Sequence, residues 1–136
     1  MARILVAASP KPREIVQRIL HGNDLISAET IEEAVKLLRA RAFDLIVCTV
    51  MFDESRMFDF LRVVKANKAW EKIPFVCARA KPQILRSPIA LEAVDFTSRA
   101  LGAAAFVDIT IYKSDPEREM RDEIEAVLKA ARGSER

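Results

Sequence analysis

Five short apolar runs, each followed by a segment of helical periodicity, constrain this chain more than any other feature of its sequence. The runs are RILVAA (3–8), LISA (25–28), DLIVCT (44–49), IPFVCA (73–78) and AAFVDI (104–109). They are too short for helices and rich in Val and Ile, the pattern of strands buried on both faces. Ser9-Pro10 opens the first helical segment, whose apolar face is Ile15, Val16, Ile19 and Leu20. Thr30 and Glu33 form a capping box for the second, with Ile31, Ala34, Val35 and Leu38 facing inward. A third spans 55–66. Ser87-Pro88 opens a fourth that stops near Gly102. A fifth begins at 114–116 and turns Met120, Ile124, Val127 and Leu128 inward.

Strictly alternating strands and helices imply a parallel sheet covered on both faces and joined by right-handed crossovers. The expected architecture is a flavodoxin-like (βα)5 three-layer sandwich with a five-stranded parallel sheet in the order 2-1-3-4-5. Its switch point falls between strands 1 and 3, where a crevice opens beyond the carboxyl ends of the strands. Ala7, Ala8 and Ser9 then stand opposite Thr49, and strands 4 and 5 contribute Arg79 and Asp108-Ile109-Thr110.

A chain of 136 residues fits one domain, expected over 1–132 with a disordered tail at 133–136. Its net charge of +2 comes from basic and acidic residues interleaved along the whole length, which argues against nucleic acid as a partner. No apolar run approaches the roughly eighteen residues of a membrane span. The opening MARILVAAS lacks the basic region, long apolar stretch and cleavage site of a secretory signal, so a cytoplasmic location is expected.

Cys48 and Cys77 lie inside strand runs with no neighbour at metal-ligand spacing, and His21 is the single histidine. The cysteines read as reduced, buried small hydrophobes, and His21 as a helix-end residue beside Gly22. Setting Thr49 level with Arg79 at the strand ends places the two cysteines on opposite faces of the sheet. No metal or other cofactor is expected.

RILVAASP, DLIVCTVMFDESRMFDFLR, IPFVCARA and GAAAFVDIT, in this order, resemble the motif segments of response regulator receiver domains across essentially the whole chain. The resemblance implies a receiver fold. It also implies that the phosphorylation residues are gone: the acidic pair falls on Ala7 and Ala8, and the phosphoacceptor aspartate on Thr49. The conserved hydroxyl falls on Arg79, the conserved lysine on Ile109, the proline after it on Thr110, and the loop glycine on Met57.

Elementary chemistry points the same way. Phosphoryl transfer to a side chain needs a nucleophile, a divalent cation and donors for the phosphoryl oxygens. Magnesium requires hard oxygen ligands, normally including carboxylates. Here the crevice floor offers methyl groups. Thr49 has no base within reach, since His21 sits about 15 Å away at the far end of the first helix. The expectation is no enzymatic activity, with Thr49 a β-branched residue bonding its hydroxyl to nearby backbone.

Two functional readings follow. In the first, the chain is a phosphorylation-independent receiver-like module in a bacterial two-component pathway. It would act by protein–protein interaction with a signalling kinase, another receiver, an effector domain or a second copy of itself. The resemblance places its contact face on Phe96, Phe106, Ile109, Ile111 and Tyr112. Arg79 and Phe106 stand where receivers couple site to surface, so without phosphate that surface should be held in one arrangement. In the second, Ser9, Arg56, Arg79 and Lys81 form an anion or small-molecule site in the crevice.

Overall fold

The computed structural model describes residues 1–81, 84–111 and 115–134. Five parallel strands form one sheet: β1 (Arg3–Ala7), β2 (Asp24–Ala28), β3 (Leu45–Thr49), β4 (Phe75–Arg79) and β5 (Ala105–Asp108). Their order is β2-β1-β3-β4-β5, the flavodoxin-like arrangement expected. Six helical segments connect them: α1 (Pro10–Ile19), α2 (Ile31–Ala40), α3 (Phe52–Ser55), α4 (Met57–Ala66), α5 (Pro88–Ala100) and α6 (Pro116–Ser134). α6 continues through Ser134, two residues into the stretch expected to be a tail. Glu135 and Arg136 lie outside the described residues.

Side-chain alternation along the strands divides the core into two layers. Leu5, Ile46, Cys48 and Phe75 point toward α2, α4 and α5, where Phe60 lies 5.4 Å from Phe52 and 5.6 Å from Phe75, ring centre to ring centre. Ile4, Val6, Leu45 and Val76 point the other way, against Val16 and Ile19 of α1 and Met120 and Ile124 of α6. β3 and β4 are buried on both faces, and they are apolar up to the polar residues Thr49 and Arg79 that end them.

The helix ends follow their local chemistry. Thr30 Oγ1 accepts from the Glu33 N–H, while the Glu33 carboxylate accepts from the Glu29 N–H, one residue further back than a capping box requires. Ser87 Oγ accepts from Ala90 at 3.5 Å ahead of Pro88. Ser9 precedes α1 without a side-chain cap bond. After α5 the chain turns at Gly102, with φ of +107° and the Lys65 stem close by, so an added Cβ would meet it at 3.3 Å.

The third helix was expected from residue 55, but a different device precedes it. Asp53, Glu54 and Ser55 all have positive φ, between 46° and 65°, so α3 is a left-handed turn. Phe52, fully buried, anchors one end of it. Next to it the Asp53 carboxylate ties the turn to α2 by accepting the Ile31 N–H at 2.9 Å.

The register corrects one expectation. Cys48 pairs with Cys77 and Thr49 with Ala78, so the two cysteines share a face of the sheet instead of opposing one another. The physical reason is that β4 runs one residue beyond the level of Thr49. Arg79 therefore has no partner on β3 and lies opposite Asp108 on β5.

Candidate functional site at the strand ends

The carboxyl ends of β1, β3, β4 and β5 converge at the expected crevice, and side chains of the protein itself fill it. Ala7 and Ala8 are fully buried, and Thr49 is 2% exposed. Thr49 Oγ1 accepts and donates no hydrogen bond among the described residues, contrary to the expected bond to nearby backbone. Alternation along β3 aims it toward α1, not along its own chain. It borders a void of about 10 Å³ lined also by Pro12, Arg79, Lys81 and Ile84, room for about one water molecule.

Beside it lies a buried ion pair. Arg79 and Asp108, each 8% exposed, are joined by Nη1 and Oδ2 at 2.9 Å. The same Nη1 donates to Thr110 Oγ1 at 2.7 Å, and Arg79 Nε donates to the Ile84 carbonyl at 2.6 Å. Asp108 Oδ1 in turn accepts the Thr110 hydroxyl at 2.6 Å and the Thr110 N–H at 3.0 Å. Charge-assisted bonds at these lengths are the strong kind, and their mutual saturation is what permits two charges to be buried. Asp108 and Arg79 were both read at this end of the sheet. Their pairing was not, because it depends on the one-residue overhang of β4.

The anion-site residues do not gather into a cradle. Arg79 is neutralised by Asp108, and Arg56 pairs with Asp53 at 3.4 Å and Asp59 at 3.5 Å. Of the other two, Lys81 borders the void, which is far smaller than a phosphate, and the half-buried Ser9 does not line it. Nor do the residues fit a receiver's divalent cation. Ala7 and Ala8 present methyl groups there, and the nearby carboxylate of Asp53 is committed to Ile31 and Arg56. Among the described residues no cluster of three metal-ligating side chains forms.

The two thiols are free and buried. Burial pushes the Cys48 thiol well up, with Cys77 beside it adding to the effect. Burial likewise pushes Cys77 to about 12, opposed by a hydrogen bond with Ser98 and reinforced by Asp95. Neither is a nucleophile at neutral pH.

The proposed contact face is only partly at the surface. Phe96 on α5 is 74% exposed, and Ile89, one heptad earlier on the same helix, is 79% exposed. Phe106 packs half-buried against the α4–α5 layer. Ile109 is a correction: it is 8% exposed and belongs to the α1–α6 core layer, since the chain turns inward into a 3-10 turn (Ile109–Ile111) directly after β5. The Ile111 side chain and Tyr112 lie outside the described residues. The sequence signal for Ile89 is its spacing of seven from Phe96, two turns along one side of α5.

This topology, with its crevice at the strand ends, is the flavodoxin-like fold of receiver domains. A candidate response regulator from Chloroflexus aurantiacus superposes with a TM-score of 0.77 at 14% identity, covering 94% of this chain and 98% of that one. The receiver domain of a Syntrophus aciditrophicus signal transduction histidine kinase gives 0.75 at 22% identity, covering 96% and 92%. The response regulator Rcp1, solved in a manganese-bound form, gives 0.67 at 17% identity, covering 88% of each chain. No protein-family model and no curated protein matches the sequence. Among the described residues no helix is long and apolar enough to cross a membrane.

Proposed function

We propose that this chain is a pseudo-receiver, an interaction module that keeps the receiver fold and works without phosphorylation. The carrying observation is the Arg79–Asp108 pair, which occupies the strand ends where a receiver would respond to a phosphoryl group. A switch of that kind needs a ligand that binds its two states differently. An internal ion pair is present in every molecule, so the β5–α5 surface is held in one arrangement and binds its protein partner constitutively. The contact is centred on Ile89 and Phe96, with Ala93 between them on the same exposed side of α5. The partner class is a signalling kinase, another receiver, an effector domain or a second copy.

Two measurements test this reading. Adding beryllofluoride or acetyl phosphate with magnesium should leave the amide spectrum and melting temperature unchanged; a saturable, metal-dependent shift would sink it. Ile89→Glu with Phe96→Glu should abolish self-association or capture of the cognate kinase while the circular dichroism stays native. If both are unaffected, the working surface is not α5.

A further inference from the structure

The opposite end of the sheet carries a groove unrelated to the crevice or to α5. Its widest part, of about 680 Å³, lies between the C-terminal end of α2 and the segment following α4. Leu38, Phe43, Trp70 and Ile73 form its apolar lining, with Arg39 and Arg41 on one wall. A narrower part of about 160 Å³ continues it past Phe43 and Ile73 to Lys72 and Pro74. From there a third part of about 480 Å³, bounded by Lys65 and Lys72, reaches the alanines of α6. The groove therefore runs past the N-terminal ends of β3, β4 and β5.

Its charge is one-sided. Four cations line it, Arg39, Arg41, Lys65 and Lys72, against one carboxylate, Asp44. Asp44 is already engaged, accepting the Arg3 N–H at 2.8 Å. Lys65 is held in place by the Glu71 and Ile73 carbonyls at 2.8 and 3.0 Å. Arg39, Arg41 and Lys72 have no ion-pair partner among the described residues. The dipole of α2 accounts for one cation in its last turn, and Arg39 supplies that. Arg41 and Lys72, outside any helix, are surplus to it.

From this juxtaposition we infer that the groove is a docking site for a linear acidic peptide carrying apolar anchors. Guanidinium groups on the wall receive its carboxylates in paired hydrogen bonds, and the apolar lining receives its anchors. A nucleic acid is a poorer match, because Trp70 is 7% exposed and offers no face on which a base could stack. A membrane surface is a poorer match too, since the apolar groups are recessed in the groove and do not protrude.

Trp70 is the single tryptophan of the chain, so its fluorescence reports on the groove alone. The experiment is a selection of displayed random peptides on the full chain, with counter-selection on an Arg39→Glu, Arg41→Glu, Lys72→Glu variant. All three side chains are solvent-exposed, and circular dichroism checks that the variant folds. Surviving peptides should combine Asp or Glu with bulky apolar residues and shift Trp70 emission saturably. They should bind the variant about tenfold or more weakly, and bind Ile89→Glu/Phe96→Glu as tightly as the parent. The inference is overturned if no peptide survives counter-selection, if survivors lack carboxylates, or if they leave Trp70 unchanged. It is equally overturned if a single-stranded RNA or an anionic phosphatidylserine vesicle displaces them from the groove.

Discussion

Thr49 shows what a single residue can reveal once its surroundings are known. A buried hydroxyl without a partner costs free energy, roughly 1–3 kcal/mol by mutational measures. Thr49→Val keeps the branched shape that β3 packs while removing the orphan oxygen. The variant should therefore be more stable than the parent by about 1 kcal/mol in urea unfolding. A loss of stability would mean that the hydroxyl is satisfied, by a water in the small void beside it. The absence of an acid at Thr49, Ala7 and Ala8 was legible directly, since residue type and strand position suffice for it. The orphaned hydroxyl was not, because which groups approach an oxygen is decided by elements far apart in the chain.

Among the elements, the left-handed turn α3 is the one least expected. Left-handed conformation costs roughly 1–2 kcal/mol for each residue with a Cβ, and three in succession persist because the turn is tied to the core and to α2. Phe52 fills the core layer and Asp53 serves the first free N–H of α2. Glu54 follows them, exposed and with φ of 57°. Glu54→Gly should relieve its strain and raise stability by about 0.5–1 kcal/mol after the greater freedom of glycine in the unfolded chain is counted. Chemical denaturation measures this, and a destabilised variant would show the turn to be unstrained at that position. FDES contains no glycine and no asparagine, so nothing local announces such a turn. α2 and α5, by contrast, were readable to within a residue or two from Thr30, Glu33, Ser87 and Pro88.

At the scale of the whole molecule, the Arg79–Asp108 pair ties three separate regions together: the end of β4, the end of β5 and the segment leading into α5. Removing one partner of a buried pair leaves an uncompensated charge, whereas replacing both with apolar residues does not. Asp108→Leu should therefore destabilise by about 3–5 kcal/mol, and adding Arg79→Met should recover most of that loss. In the recovered double variant, amide exchange around Ile84 and the first turn of α5 should still be faster, because the bond from Arg79 to the Ile84 carbonyl is gone. Equal exchange in parent and double variant would show that the pair stabilises without holding α5. Period, caps and apolar runs were enough for five strands and their parallel order, and residue type alone for the methyl groups at Ala7 and Ala8, because those depend on local pattern or on the bare presence of a residue type. The shared face of Cys48 and Cys77, the burial of Ile109, the buried ion pair and the basic groove at the far edge all turn on where one strand stops relative to its neighbour and how the chain folds back. Such offsets of one residue leave every local pattern unchanged, and packing of the assembled sheet alone selects among them.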